Sequence, residues 1–392
     1  MTMFKVDKNV NQVVSKLERL SLFDTDGLDS LYSGNLGRAV ANTVLFDFSN
    51  NELYFNRALE IFQFSIDRLG DSNGIRFSTA LSNGLSGLGM VGLVLERKSD
   101  GEVSSNFELL IQWLAKNIFD KALIEIKQGD LDPLHSSIGG LYFLAKYAQR
   151  NKAKGKQYLI ELLETLYLEL NQNKFGYYLL NKRYMKGGTA NIEIGLGHGL
   201  CGIILSLIEV YAVLNDEMSR ELIIKLTKFL ERTYTSYHQS EEKFLFPRSV
   251  SISGEPISQE VRRNHNIGWC SSDLIIGYTF LKAGKILDDQ DLEAWGNKVL
   301  FGFLCYDTNK LPIPDAIFCH GYSGVSWVLR KCFYATGQKK FLEKSDFWLE
   351  KALFCPKTYK KEGLLEGDLG IYTTILGSMM NHQGCWDEIF LL

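Results

Sequence analysis

Three residues of this chain have the chemistry of metal ligands and fall at matching places in its sequence. Cys270 stands two residues before Ser272 in "GWCSSDLIIG" (268–277), and Cys319 and His320 stand immediately before Gly321 in "CHGYSG" (319–324). Ser272 and Gly321 each open a copy of one short motif, so the thiols and the imidazole occupy the same place in two successive repeats. Two thiolates and one imidazole suit Zn2+, and three protein ligands leave a fourth tetrahedral position open, which is the arrangement of a catalytic site rather than a structural one. Adjacent residues on a helix diverge by about 100°. Cys319 and His320 can therefore share an ion only at a loop or a helix start, which is where Gly321 puts them. Alone, the dipeptide carries little weight, because a free cysteine is commonly a small buried hydrophobe and a lone histidine is commonly structural. The repeat phasing of Cys270 is what makes a candidate site of it.

The elements that must position these residues follow from the repeat. Its copies read "SGNLG" (33–37), "NGLSG" (83–87), "SSIGG" (136–140), "HGLCG" (198–202), "SSDLI" (271–275), "HGYSG" (320–324) and "EGDLG" (366–370). The small residues that open them, Gly34, Gly84, Ser136, Gly199, Ser272, Gly321 and Gly367, are spaced 46 to 73 residues apart, the mark of a repeat architecture. Serines and Ile275 make the third and fifth copies imperfect. An apolar helical run follows each copy, such as "IILSLIEVYAVL" after Gly202. An amphipathic run then follows, such as "SRELIIKLTKFLERTY" (219–234) or "KKFLEKSDFWLEKALF" (339–354), with apolar residues three and four apart. Each repeat therefore reads as a helix pair.

Only six prolines interrupt the chain, and seven pairs predict an all-α protein of about fourteen helices. Glycine at the start of an inner helix lets neighbouring backbones approach closely, since no Cβ stands in the way. Seven pairs either stack as an open solenoid or close into a ring. The reading adopted is a closed α/α toroid, one domain over residues 1–392, with the motif-bearing helices inside and their glycine loops meeting at one end. The longest spacings contain "FGYYLLNKRYM" and "KFLFPRSVSISGEP", expected as small strand-like excursions within 172–190 and 238–262.

Composition excludes several functions. The 392 residues are 45% hydrophobic and 23% charged with a net charge of −3, a globular composition without the basic excess that phosphate-backbone binding needs. Nucleic acid is not an expected partner. The opening "MTMFKVDKNVNQVV" scatters charge where a secretory segment needs an unbroken apolar run, and no stretch reaches membrane-spanning length. A cytoplasmic protein without a transmembrane segment is expected. Seven widely spaced cysteines, an odd number, argue against a disulfide framework.

The joint occurrence of "GLGHGLCG" (195–202), "GWCSSDLIIG" and "CHGYSG", in this order and at these separations, resembles the lanthionine synthetase C-like proteins, especially the bacterial lanthipeptide cyclases. The resemblance covers essentially the entire chain. It implies an α/α toroid of fourteen helices, a zinc held by Cys270, Cys319 and His320, and thioether ring closure in a dehydrated precursor peptide. "DPLHSSIGG" (132–140) resembles the family's aspartate-bearing motif and implies that Asp132 is an active-site residue; His198 matches the family's active-site histidine.

The implied reaction adds a peptide cysteine thiol across the double bond of dehydroalanine or dehydrobutyrine to give lanthionine or methyllanthionine. A thiol of pKa about 8.5 is only about 3% ionised at pH 7, so full ionisation contributes about thirtyfold, or roughly 2 kcal/mol. Two ligand thiolates already neutralise Zn2+, so a third gives a net negative centre that keeps nucleophilic character, whereas three histidines favour water activation. The enolate formed must then be protonated at its α-carbon. His198, with an ordinary pKa near 6.5, is suited to supply that proton. Asp132 either orients a histidine or takes the thiol proton, and the sequence leaves both open. The structural alternatives are a helix-start histidine bonded to a loop carbonyl for His198, and a cap or turn residue before Pro133 for Asp132.

The sequence also departs from the family pattern. An arginine four residues before the zinc cysteine and a tyrosine or histidine just after it are replaced by Asn266 and Ser271. Arg262 and Arg263 lie nearby but read better as solvated surface residues. Ile275 replaces a small residue and is expected to narrow the loop. His135 and His265 lie near the motifs, with ordinary structural roles the better reading. The resemblance implies a dehydrated precursor peptide as substrate, a separate dehydratase and transporter complex as partners, and peripheral association with that membrane complex. The chain is too short to hold both a cyclase barrel and a dehydratase domain. An alternative is a zinc-dependent thiol- or glutathione-binding protein of this family without cyclase turnover, favoured by the changes at Asn266 and Ser271. A third reading, an unrelated α/α-barrel glycosidase using Glu366 and Asp368, is weaker, because acids near helix N-termini are ordinary.

Overall fold

A computed structural model describes residues 9–99, 105–185, 191–237, 245–254, 267–306, 313, 315–356, 362–380 and 385–392. Among the described residues there are fourteen α-helices. They are α1 (Val10–Leu20), α2 (Asn35–Ser49), α3 (Glu52–Asp67), α4 (Leu85–Lys98), α5 (Ser105–Lys127), α6 (Ser137–Ala148), α7 (Lys152–Leu168), α8 (Leu200–Leu214), α9 (Glu217–Tyr237), α10 (Asp273–Leu287), α11 (Gln290–Leu304), α12 (Tyr322–Thr336), α13 (Lys339–Leu353) and α14 (Asp368–Met379). Four short strands, β1 (Leu170–Asn173), β2 (Gly176–Leu179), β3 (Asn191–Glu193) and β4 (Ser249–Ser251), pair antiparallel as β1 with β2 and β3 with β4.

All seven small residues that open the sequence motif cap a helix. Gly34, Gly84, Ser136, Gly199, Ser272, Gly321 and Gly367 hold extended backbone directly before α2, α4, α6, α8, α10, α12 and α14. At Gly34, Gly84, Gly199 and Gly321 the preceding turn folds back over the cap and crowds out a Cβ: one on Gly321 would stand 2.5 Å from the Ile317 carbonyl oxygen. The helices that follow are buried over most of their length, the pattern of an inner helix. In α8, Leu200 through Ile208 are buried without a break. Hydroxyls enter this core without losing a partner, because Ser206, Thr279, Thr373 and Thr374 each donate to the carbonyl four residues back.

The intervening helices are amphipathic. α9 buries Leu222, Ile223, Leu226, Phe229 and Leu230, and α3 buries Tyr54, Ala58, Ile61 and Phe62. Four pairs turn by one two-residue device. Asn50, Asn215, Asp288 and Gly337 adopt the left-handed conformation and end α2, α8, α10 and α12. The next residue begins the partner helix, and in three cases its side chain caps it: Asn51 accepts from the Leu53 N–H, Asp216 from Met218 and Ser219, and Asp289 from Asp291 and Leu292.

The seventh pair departs from the expected order. Among the described residues no second α-helix follows α14; α1, from the start of the chain, packs against it instead.

The packing falls into two compact units. Within residues 117–312, α6 packs on α8 and α8 on α10, around Phe229, Trp269 and Phe280. Within residues 1–116 and 313–392, α4 packs on α2, α2 on α14 and α14 on α12. There the short 3-10 helix Cys385–Phe390 completes the core: Phe390 stacks on Phe318 at 4.0 Å, and the Trp327 indole N–H donates to Asp387. No helix among the described residues is long and apolar enough to cross a membrane.

Strands appear in both sequence excursions, as β2 and β4. The stretches 186–190, 238–244 and 255–262 of those excursions lie outside the described residues. β3, which the sequence reading did not foresee, pairs Ile192 with Val250 and leads directly into the segment before α8, where the Ile194 N–H donates to the Arg248 carbonyl at 3.1 Å.

Candidate functional site

Because α6, α8 and α10 are successive neighbours, the loops that precede them lie together in the 117–312 unit. The loop before α10 is tied to the one before α8 through its backbone: Leu196 and Gly197 both donate to the Cys270 carbonyl, at 2.8 and 3.1 Å. Gly195 permits the approach, since a Cβ there would stand 2.5 Å from that carbonyl oxygen and 2.8 Å from the Ser271 Cβ. Fully buried Trp269 anchors the loop on one side of Cys270. On the other, Ser272 donates to the Gly268 carbonyl and accepts from the Ile275 N–H. Half-buried Cys270 is thus fixed against the segment that carries His198.

Asp132 and His198 meet directly, with Asp132 Oδ2 2.9 Å from His198 Nδ1. The same carboxylate serves the turn before α6, because Oδ1 accepts from the Leu134 and His135 N–H groups at 2.9 and 2.8 Å. The turn residue and the partner of His198 are one carboxylate, each contact using one oxygen. Burial alone would raise the Asp132 pKa, but the hydrogen bond and charge of His198, aided by His135, bring it below the ordinary 3.8. For His198, burial acts downward, yet the hydrogen bond and charge of Asp132, with the nearby Cys270 and Glu193, lift the imidazole above 6.5.

Three neighbours were not found from the sequence. Asn181, just after β2, donates to Asp132 Oδ2 at 3.1 Å and to the His198 carbonyl at 3.3 Å. Glu193, at the end of β3, lies 3.8 Å from Arg248 and acts on His198 through its charge. Asn181 and Arg248 fall within the two excursions and Glu193 on β3 between them; nothing in their residue types alone points there.

Cys319 and His320 sit in the turn 318–320 that runs into capping Gly321, so they do not share a helical surface. The Cys319 N–H is fixed by the Leu365 carbonyl at 2.9 Å. Cys270 belongs to the 117–312 unit and Cys319 and His320 to the other. Asp132, His135 and His198, all in the 117–312 unit, form a group that could hold a metal ion, with donor atoms within 4.8 Å of one another.

The profile of the lanthionine synthetase C-like proteins matches residues 26–391. The chain belongs to the lanthionine synthetase C-like family. Among solved structures, nisin cyclase aligns with a TM-score of 0.77 at 18% identity over 99% of this chain and 97% of that one. A sugar epimerase from a ruminal bacterium aligns with a TM-score of 0.51 at 10% identity, covering 83% of this chain and 89% of that one. No curated protein matches the sequence. The fold is the all-α, α/α toroid expected from the repeats.

Set against the lanthionine synthetase C-like pattern, the departures acquire places. Ser271 stands against the backbone at Gly195, where a larger side chain would need other room. Ile275 lies within α10 and is fully buried, so its bulk fills the core rather than narrowing the loop. Asn266, Arg262, Arg263 and His265 lie outside the described residues. Asp368 is in the first turn of α14, as a helix-start acid.

Proposed function

We propose that this chain is a zinc-dependent lanthipeptide cyclase, which adds cysteine thiols of a dehydrated precursor peptide to dehydroalanine and dehydrobutyrine and so forms lanthionine and methyllanthionine rings. The observation that carries the reading is the Asp132–His198 pair held beside Cys270, an imidazole paired with a carboxylate next to a thiol of the candidate metal set. The family and the likeness to nisin cyclase support it. Cys270, Cys319 and His320 would hold the ion. Two thiolates and one imidazole are a donor set that fits zinc. Bound there, zinc supplies the acidity that ionises the substrate thiol at neutral pH.

The chain's own residues do the rest. Against burial, the hydrogen bond and charge of Asp132 lift the His198 imidazole above its ordinary value, which favours its protonated form. In this reading His198, oriented by Asp132 at Nδ1, gives that proton to the α-carbon once sulfur has bonded to the β-carbon. Asp132 is a poor base, since its pKa is lowered. Its role is to hold the imidazole in one orientation and to stabilise the imidazolium. This reading implies a separate dehydratase acting first, a transporter complex as partner, and a cytoplasmic site of action.

A second reading, thiol or glutathione binding without turnover, is favoured by Ser271, which brings no ring to the space beside Cys270 where relatives carry one. The test uses a dehydrated precursor peptide with the wild type and Cys319→Ala. Loss of alkylatable thiol at unchanged peptide mass, with the wild type only, is the expected outcome. Thiol retention by a protein that consumes none of it would establish the second reading.

A further inference from the structure

Asp132, His135 and His198 are three ligand-type side chains gathered at one point of the 117–312 unit, with donor atoms within 4.8 Å of one another. Asp132 Oδ2 and His198 Nδ1 are already 2.9 Å apart. The His135 and His198 rings lie side by side, with centroids 5.4 Å apart and planes 21° from parallel. One carboxylate oxygen and two imidazole nitrogens are donors that Zn2+, Co2+ and Ni2+ take, in contrast to the softer thiolates of Cys270 and Cys319. Donors on one tetrahedral ion, with bonds of about 2.0–2.2 Å, stand about 3.4 Å apart, so side-chain movement of about an ångström brings the three onto a single centre.

The backbone holds these side chains together without an ion. Pro133 packs on the first turn of α8, where a Cβ on Gly202 would stand 2.6 Å from the proline Cγ, and a Cβ on Gly197 would touch Leu134. The loop of Asp132 and His135 is thereby docked on the segment that carries His198. Within that loop, Asp132 Oδ1 accepts from the His135 N–H at 2.8 Å, which ties the second histidine to the carboxylate it would share an ion with. Asn181 donates to Oδ2 at 3.1 Å, the outer support that a ligating carboxylate commonly has. Charge favours a cation as well. Asp132 and Glu193 both act on His198, and Arg183, which acts on His135, is paired with Asp130 at 2.7 Å. The His198 side chain is partly exposed and His135 half-buried, so an ion can reach them from solvent.

We propose that Asp132, His135 and His198 form a second site, for zinc or another divalent transition metal, weaker than the thiolate set and inhibitory when filled. The ranking follows from charge and softness, since this site offers one anionic ligand and the thiolate set two. The inhibition rests on the cyclase reading, in which His198 gives a proton to carbon. A neutral imidazole has one free electron pair in the plane of its ring. An ion that holds this pair prevents the ring from taking the extra proton that makes it an acid. An ion on Asp132 also replaces the contact that orients the ring. Thiol addition therefore falls as free zinc rises beyond what the first site holds, and ring formation runs within a window of zinc concentration.

Cobalt is the probe. Co2+ is added in increments to zinc-loaded wild type, without substrate, and the ring signals of the six histidines are followed by NMR. Paramagnetic broadening of His135 and His198 together, ahead of the others and without a sulfur-to-cobalt charge-transfer band, is the expected result. Broadening that spares both rings, or that comes only with that band, overturns the site. His135→Phe, which keeps a ring, should weaken this cobalt binding at least about tenfold, with folding checked by circular dichroism; His135→Gln is the second variant if the first misfolds. Unchanged cobalt affinity in a folded variant overturns the site as well. Thiol loss from a dehydrated peptide is then measured with zinc added above one equivalent. The wild type should slow, and His135→Phe should slow much less relative to its own rate. Equal slowing would mean capture of zinc by substrate thiols and overturns the inhibitory role. A wild type that consumes no thiol at any zinc level overturns the cyclase reading, and the cobalt titration alone then decides the site.

Discussion

The 2.9 Å contact between Asp132 Oδ2 and His198 Nδ1 joins a fully buried carboxylate to an imidazole whose side chain is still 40% exposed. One partner is rooted in the core and the other faces out, so the pair can present a proton while its orientation is set from beneath. Asp132→Asn keeps an acceptor for the Leu134 and His135 N–H groups but removes the charge. The His198 pKa is then expected to fall, because burial remains and the counter-charge is gone. Stability should fall by about 1–2 kcal/mol, the loss of one charged hydrogen bond moderated by solvent at His198. The pH window follows from the shifts. The His198 contribution is full below 6.5 and is lost as pH rises through the higher folded value, and the Asp132 contribution is full above 3.8 and is lost as pH falls through the lower one. The destabilisation should therefore be greatest between about pH 4 and 6.5 and shrink above it. Chemical denaturation across that range, with NMR titration of His198, checks both; a flat difference with pH would show that the pair carries no linked charge.

Metal removal should separate site from fold. Cys270, Cys319 and His320 lie in turns before capped helices, and both units have cores built from other residues. Freshly purified protein is expected to hold about one zinc per chain. Chelation, or Cys319→Ala, should abolish thiol consumption while leaving the helical circular dichroism signal in place. Cooperative unfolding on chelation would mean instead that the ion is structural.

The capping turns give a test independent of function. Asp289 accepts two N–H bonds at the start of α11, directly after left-handed Asp288 has ended α10. Asp289→Ala should cost about 0.5–2 kcal/mol, seen as a lower denaturant midpoint with an unchanged slope, and should leave thiol chemistry unaltered.

These same turns show what the sequence displayed openly. "NN" at 50–51, "ND" at 215–216, "DD" at 288–289 and "GQ" at 337–338 are left-handed stops followed by helix starts, as readable as the glycine motif, and they mark where inner helices end. The motif copies themselves predicted all seven inner helix starts: at Gly34, Gly84, Gly199 and Gly321 the preceding turn crowds out a Cβ, and at Ser136 and Ser272 a small hydroxyl residue opens the helix. The partner of α14 was not legible, since closure by α1 is a contact between chain ends that no local pattern encodes. Among the candidate residues, Cys270, Cys319 and His320 were proposed from motif phasing, and His198 and Asp132 from the family resemblance. Asn181, Glu193 and Arg248 were not, because short strands with no repeated pattern deliver them. The stacking of His135 on His198 depends on how α6 and α8 are set side by side, which residue order alone does not state.

Two glycines in one loop allow a sharp comparison. A Cβ at Gly195 would meet the Cys270 carbonyl oxygen at 2.5 Å and the Ser271 Cβ at 2.8 Å, whereas at Gly197 its nearest neighbours, the Cys270 Cβ and Leu134 Cδ1, would lie at 3.6 Å, an ordinary contact. At position 195 the obstacle is backbone, which cannot rotate aside, so the loop carrying Cys270 must move and the bonds from Leu196 and Gly197 to its carbonyl must lengthen. Gly195→Ala is expected to cost about 1–3 kcal/mol, as overpacking does, and to weaken zinc binding in a competitive chelator titration. Gly197→Ala should bind zinc nearly as the wild type does. Equal zinc affinity for the two variants would show that the backbone junction between the loops does not position the cysteine.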